Sequence, residues 1–216
     1  MLDTWGIPVF VIGTFLLVFL YVWWAAKKRK EALIRFAQRQ GLSFVDSETP
    51  MQNTHLSSFH LFQLGYDQTF KNVMQGYVDG QNIKLFDYSY TTGSGKSRST
   101  QTQTAIVFNV QDKELPGFEL RPENFFYKIG SLLGHSDIDF PEDLQFSKKY
   151  YLKGKDKTAI RELFNSNIRN YFLSGSTWCV EGGGEWLIIY NAAKKTKADQ
   201  LPQFLTHTFE IYRLFI

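Results

Sequence analysis

The segment Gly93-Ser94-Gly95-Lys96-Ser97 carries the materials of a phosphate-binding loop, since glycines expose backbone N–H groups and a lysine can reach a phosphate. The full pattern also needs a glycine five residues before Gly95 and a helix after the Lys-Ser pair. Tyr90 stands at the first position, and Arg98-Ser99-Thr100-Gln101-Thr102 leads into a strand pattern, so no helix N-terminus would face a nucleotide. The segment reads instead as the polar tip of a long hairpin, residues 91–100. There Lys96 and Arg98 are the binding candidates, for a protein partner or for lipid headgroups.

The acidic run Asp137, Asp139, Glu142 and Asp143 could hold a hard cation, but it lacks the glycine and the ligand spacing of a calcium loop and reads as a solvated loop. Lys148, Lys149, Lys153, Lys155, Lys157 and Arg161 form its basic counterpart, read as a charged edge. The four histidines, His55, His60, His135 and His207, have no paired spacing, and no Cys/His pattern resembles a zinc site, so no metal is expected. Cys179, the single cysteine, alternates with Trp178 and Val180 and has no neighbouring base, which suits a small buried thiol better than a nucleophile. Ser174-Gly175-Ser176 does not make a nucleophile elbow. Two carboxylates beside strand aromatics, Asp87 and Glu119, are the positions where a raised pKa would be sought. No catalytic residue and no cofactor is assigned.

These side chains must be positioned by a 216-residue chain, enough for one domain with accessory segments. Aromatic residues make up 17% and charged residues 21%, which excludes a disordered chain. The formal charge is +3. Lys27-Lys28-Arg29-Lys30 supplies four of the 24 basic residues and Asp3 one of the 21 acidic ones, so residues 31–216 are balanced and nucleic-acid binding is not expected.

No charged residue occurs from Thr4 to Ala26. Ile7 to Ala26 is long enough to span a bilayer as a helix at about 1.5 Å per residue. Trp5 at one end and Tyr21, Trp23 and Trp24 at the other suit the interfaces. A cleavable signal would carry its positive charges before the apolar run, whereas here they follow it. By the positive-inside rule the basic flank keeps the chain after residue 30 cytoplasmic and sends the N-terminus out, with Lys27, Lys28, Arg29 and Lys30 at the membrane surface.

Beyond the anchor, Glu31 to Gln40 continues as a helix that Gly41 stops, and Leu42 to Val45 is a short strand candidate. Residues 72–78 and 83–90, joined through Asp79-Gly80, read as a hairpin, and 102–110 as a third antiparallel strand. Pro122 is expected to open a helix with Phe125, Ile129, Leu132 and Leu133 on its buried stripe. A strand at 149–153 follows, then a helix capped by Asp156 with a weak point at Asn165-Ser166-Asn167. A second hairpin is expected at 177–181 and 185–190, with Gly182-Gly183-Gly184 as its turn. Last comes a helix from about Asp199 with Leu201, Phe204, Leu205, Thr208, Tyr212 and Phe215 inward. Val78-Asp79-Gly80 faintly echoes Val180-Glu181-Gly182, which is better read as chance similarity of glycine hairpins than as a duplication.

The string Phe86 to Lys96, FDYSYTTGSGK, followed by Arg98-Ser99-Thr100, resembles a hairpin in uncharacterised bacterial single-pass membrane-anchored proteins. Phe36-Ala37 with Gly41-Leu42, Lys71-Asn72-Val73 with Gly76, and Leu152 to Phe164 look similar to the same group. The resemblance implies a bacterial inner-membrane setting and brings no known activity. The expected fold is α+β, an N-terminal transmembrane helix followed by a mostly antiparallel sheet with packed helices. Residues 1–30 form the anchor, 31–54 a juxtamembrane helix and linker, and 55–216 the cytoplasmic domain. The expected partners are the lipid bilayer and a protein at the 91–100 tip. Two functions remain open, a membrane-tethered binding or scaffolding domain and a membrane-associated enzyme built on a carboxylate-containing pocket.

Overall fold

A computed structural model of the chain describes residues 6–50, 55–111, 113–123, 138–175 and 177–216. Helix α1 runs unbroken through Gly6–Arg39, so the apolar run and the expected juxtamembrane helix are one rod. It ends because Gly41 adopts a left-handed φ of 68°, which lets Leu42 N–H donate back to the Ala37 carbonyl at 2.8 Å.

The chain after α1 is α+β with an eight-stranded sheet in which every neighbouring pair is antiparallel. Its strands are β1 (Ser43–Glu48), β2 (Tyr66–Val78), β3 (Gln81–Thr92), β4 (Ser99–Asn109), β5 (Leu115–Pro122), β6 (Tyr150–Gly154), β7 (Cys179–Gly184) and β8 (Trp186–Tyr190). The spatial order is β1-β2-β3-β4-β8-β7-β5-β6, two groups of four joined where β4 meets β8. Strict alternation fixes the register of β3 against β4, from Ile83 opposite Phe108 to Thr92 opposite Ser99.

Helices are α2 (His60–Gln63), α3 (Leu144–Lys149), α4 (Lys157–Leu163), α5 (Ser166–Ser174) and α6 (Leu201–Phe215). One sheet face, with Leu85, Ile106, Leu120, Val180 and Ile189, packs against the C-terminal half of α1 (Leu33, Phe36, Ala37) and against α3 to α6. The inward residues expected of α6 are all buried. The other face, with Phe86, Tyr88, Tyr90, Val107 and Ile188, is covered by the segment from Leu56 to Leu64. The Asn165 weak point is a junction, where its side chain accepts N–H bonds from Asn167 and Ile168 and starts α5.

Three local readings change. Pro122 is not itself a helical residue, and a 3-10 turn begins only at Glu123, the last described residue of this stretch. Pro122 is the last residue of β5, opposite Tyr150, where a missing N–H does no harm to a ladder that stops there. The rest of that expected helix, Phe125 to Leu133, lies outside the described residues. β5 itself escaped notice because Pro116, Gly117 and Pro122 look like breakers, yet a register irregularity between Leu115 and Phe118 absorbs the first two. Gly182 and Gly183 belong to β7, and the turn is at Gly184-Glu185. Gly182 is there because a Cβ would come within 2.3 Å of the Phe118 ring. The hairpin echo is accordingly not structural, since Asp79-Gly80 makes a turn and Glu181-Gly182 lies inside a strand.

Candidate functional site

Two buried polar clusters stand out, and each is assembled from residues far apart in sequence. The first sits where α1 meets the sheet. Asp87, at the centre of β3 and 4% exposed, receives Arg29 Nη2 at 3.0 Å, Asn72 Nδ2 at 2.9 Å and Thr104 Oγ1 at 2.8 Å. Lys195 Nζ stands 3.4 Å from the same carboxylate. Asn72 reaches it because β2 carries an irregularity between Lys71 and Met74, with Asn72 at φ 51°, a left-handed conformation that asparagine tolerates. Arg29 Nη1 also donates to the Thr196 carbonyl at 2.8 Å, and Thr196 N–H donates to Thr104 Oγ1 at 2.8 Å. The knot therefore ties α1, β2, β3, β4 and the loop before α6 together.

Of the four flank residues expected at the membrane surface, Arg29 thus turns into the sheet and Lys30 pairs with Asp46 of β1. Lys27 and Lys28 lie over the rings of Trp23 and Trp24, at 5.5 and 4.9 Å from their centroids.

The second cluster lies on the opposite sheet face. Glu119 of β5 and Glu181 of β7 are direct cross-strand partners, with Lys153 of β6 opposite Glu119 on its other side. Arg121 Nε contacts Glu119 Oε1 at 2.6 Å, a charge contact without hydrogen-bond alignment, and its Nη1 lies 3.3 Å from His60 Nε2. Glu181 Oε1 accepts from Leu61 N–H at 3.0 Å and from the Tyr190 hydroxyl at 2.9 Å. Burial, then the nearby Glu119 carboxylate, pushes Glu181 up to about 8, so at neutral pH it carries a proton. Burial also raises Glu119, against the pull of Arg121 and Lys153. Burial and those two cations hold His60 down at about 4, a neutral imidazole. Cys179, fully buried nearby, has its thiol pushed far up by burial and then by Glu181, which makes it inert.

Glu119 was therefore an informative position, while Glu181, Arg121, His60 and Tyr190 were missed. The available signal was the pattern Trp178-Cys179-Val180-Glu181 and Glu119-Leu120-Arg121, in which charges occupy alternate positions of otherwise apolar strands.

Two surface depressions are described, and neither is lined by these carboxylates. One, of about 460 Å³, is bounded by Ser43, His55, Gln75, Lys84, Val107 and Trp186, with the His55 ring 4.7 Å from that of Trp186. The other, of about 380 Å³, lies between the β2–β3 turn and the end of α6.

Most of the remaining described candidates have structural occupations, while His135 and Asp137 lie outside the described residues. Arg98 at the hairpin tip pairs with Asp67 at 2.7 Å and lies over Tyr66, while Lys96 is exposed in a short turn at Gly95–Ser97. Asp143 caps α3 and binds Arg169 at 3.0 Å. Lys149 donates to the Phe172 and Leu173 carbonyls that end α5, whereas Lys153 stands beside Glu119 on the other face, so the basic residues of this region do not form one edge.

No family model matches the chain, and no curated protein does. Among solved structures, it is similar to the crystal structure of the mycobacterial trehalose monomycolate transport factor A, TtfA. The TM-score is 0.59 over 87% of this chain and 92% of that one, at 11% identity, a likeness of fold.

Proposed function

We propose that this chain is a membrane-anchored binding or scaffolding domain, with the N-terminus outside, the apolar half of α1 across a bilayer and the sheet domain on the cytoplasmic side. The observation that carries the reading is the unbroken α1. Residues such as Ile12, Leu17 and Phe19 are more than 60% exposed along it, and fourteen residues beyond Phe19 the same helix is buried in the core at Leu33. Such a length of uncovered apolar helix needs an apolar surrounding. A rod that is both span and core element holds the domain in one pose on the membrane, and a domain held at a surface binds usefully with modest intrinsic affinity. The fold's likeness to a protein named for transport rather than for a chemical conversion supports the binding reading, and the FDYSYTTGSGK hairpin supports a bacterial inner-membrane setting.

We place the partner contact at the 91–100 tip, with Lys96 and Arg98, and the exposure of both side chains there supports it. The enzyme alternative draws on the Glu119–Glu181 pair, but a general acid must reach its substrate, and this one is sealed beneath Leu61 and Tyr190.

Native Cys179 is buried and leaves a silent background for labelling. Single cysteines at Leu2 and Lys96 are therefore expected to react with a membrane-impermeant maleimide in opposite ways, Leu2→Cys in intact cells and Lys96→Cys only after the membrane is opened. The reverse pattern overturns the orientation, and extraction by alkaline carbonate overturns the anchor. A partner that co-purifies from native membranes with the parent and is lost with Lys96→Ala/Arg98→Ala supports the tip. Equal retention by both removes it.

A further inference from the structure

The basic flank after the apolar run is not the whole of the charge at that end of the molecule. Arg29 follows Ala26 by three residues, about 4.5 Å of helix at ~1.5 Å per residue. Its guanidinium holds the Thr196 carbonyl at 2.8 Å. The loop Asn191–Lys197 is thereby held beside the point where the helix leaves the apolar zone, within the depth of a headgroup layer of about 5–7 Å per leaflet. Lys194, Lys195 and Lys197 are exposed there, while Thr196 between them is buried.

The loop is built and does not drape. Ala193 takes a φ of 53° and donates its N–H to Gln103 Oε1 at 3.2 Å, Thr104 N–H donates to the Lys194 carbonyl at 3.2 Å, and Thr196 N–H to Thr104 Oγ1 at 2.8 Å. Asp87 faces both Arg29 and Lys195, so one carboxylate stands against two cations and the knot keeps a positive excess. The other nearby acids are Glu31, paired with Arg35, Asp46, paired with Lys30, and Asp199, two residues beyond Lys197.

The β3–β4 tip points to the same end. Leu42 packs at Gly76, which is opposite Ile83, while Arg29 packs at Asp87, so moving back along α1 towards the apolar run means moving forward along β3 towards Thr92. Lys96 and Arg98 therefore lie on the membrane-proximal side of the knot.

Resting on the membrane-anchored reading, we infer that Lys27 and Lys28 of α1 together with Lys194, Lys195 and Lys197 of the loop before α6 form one binding face for anionic lipid headgroups. Charge complementarity decides the occupant, because the face lies within a Debye length, about 10 Å at 0.1 M salt, of the plane in which such headgroups sit. Coming from two parts of the chain, it also fixes the rotation of the domain about the helix axis, which the helix flank alone would not do.

The test uses the full chain in phosphatidylcholine vesicles carrying a trace of headgroup-labelled phosphatidylglycerol or, separately, headgroup-labelled phosphatidylcholine as energy acceptor, with Trp23 and Trp24 as donors. The parent is expected to transfer preferentially to the anionic acceptor at low salt. Lys194→Gln/Lys197→Gln, with Lys27 and Lys28 intact, should lower that preference by up to about fivefold per lysine, the equivalent of roughly 1 kcal/mol for each cation at the surface. Both lysines are exposed, so an unchanged unfolding temperature shows that the variant keeps its fold. A variant with the parent's full preference, or a parent with none, overturns the composite face. Flotation of the parent with purely neutral vesicles tests the anchor separately, so its failure is distinguishable from failure of the lipid site.

Discussion

Asp87 shows how much one buried carboxylate can organise when every lone pair is used. Removing one member of such a network leaves the others desolvated without partners, which costs more than the pair contributes net. A double-mutant cycle with Arg29→Met and Asp87→Asn, read by urea unfolding in detergent, is expected to give a coupling of about 1–3 kcal/mol. A coupling near zero would mean that Lys195, Asn72 and Thr104 suffice. The second cluster makes a prediction in pH. Glu181 has a folded pKa of about 8 against an ordinary 4.5, so between those values the folded state binds the extra proton and stability falls as pH rises. Glu119, also raised, acts in the same direction. His60, held near 4 against 6.5, acts in the opposite direction, since the unfolded state binds the extra proton there and stability rises with pH. The two carboxyls and the imidazole oppose each other below about pH 6.5. From 6.5 to 8 the raised carboxyls act unopposed by His60, and Glu181 by itself should lower stability by up to about 1.4 kcal/mol per pH unit. Glu181→Gln should flatten that slope, and urea midpoints at pH 6.5, 7.25 and 8 measure it.

Elements in this chain are set by close approach as much as by propensity. β5 contains two prolines and a glycine and is nevertheless flanked by β6 and β7, because its irregularity disposes of Pro116-Gly117 and its last rung disposes of Pro122. Phe118 stacks on Phe215 at 5.4 Å and meets Phe164 edge-on at 5.0 Å, and it occupies the space that a side chain on Gly182 would need. Gly182→Ala is therefore expected to destabilise by about 1–3 kcal/mol through displacement of that ring. An Ala at Gly183, whose added Cβ would meet only ordinary contacts at 3.5 Å and beyond, should cost less. Thermal unfolding of the two variants side by side checks the order. The β3–β4 hairpin, by contrast, follows directly from its alternation, and even its Ser89–Thr102 and Thr91–Thr100 side-chain pairs, at 2.9 and 3.1 Å, come from the register.

At the scale of the whole molecule the joint between the long apolar helix and the sheet is the defining feature. Leu33 and Ala37 are 1% and 0% exposed, so the C-terminal half of α1 is part of the fold and no flexible tether separates the candidate span from the sheet. Leu33→Ala should cost about 2–5 kcal/mol and raise hydrogen exchange in the C-terminal half of α1, with the apolar half unchanged within a bilayer. Exchange that rises equally across the sheet would show instead that the helix and sheet open as one unit. An apolar run of about twenty residues followed by cations is a local property of the chain, and so are strand alternation and the caps at Asp156 and Asn165; water, lipid and backbone hydrogen bonding read them without long-range information. The sequence by itself therefore determined the long apolar N-terminal helix, the α+β class, the two hairpins and the inward face of α6. Which strands become neighbours is a different matter, since β4 meets β8 and β5 sits between β7 and β6 only when all the apolar faces are buried together. That order, with α1 packed on the sheet, put Arg29 on Asp87, Glu119 beside Glu181 and the loop of residues 194–197 beside the basic flank of α1. Only the tertiary structure could decide these meetings, because no local pattern encodes a contact between polar groups that the chain separates by 58, 62 or 167 positions.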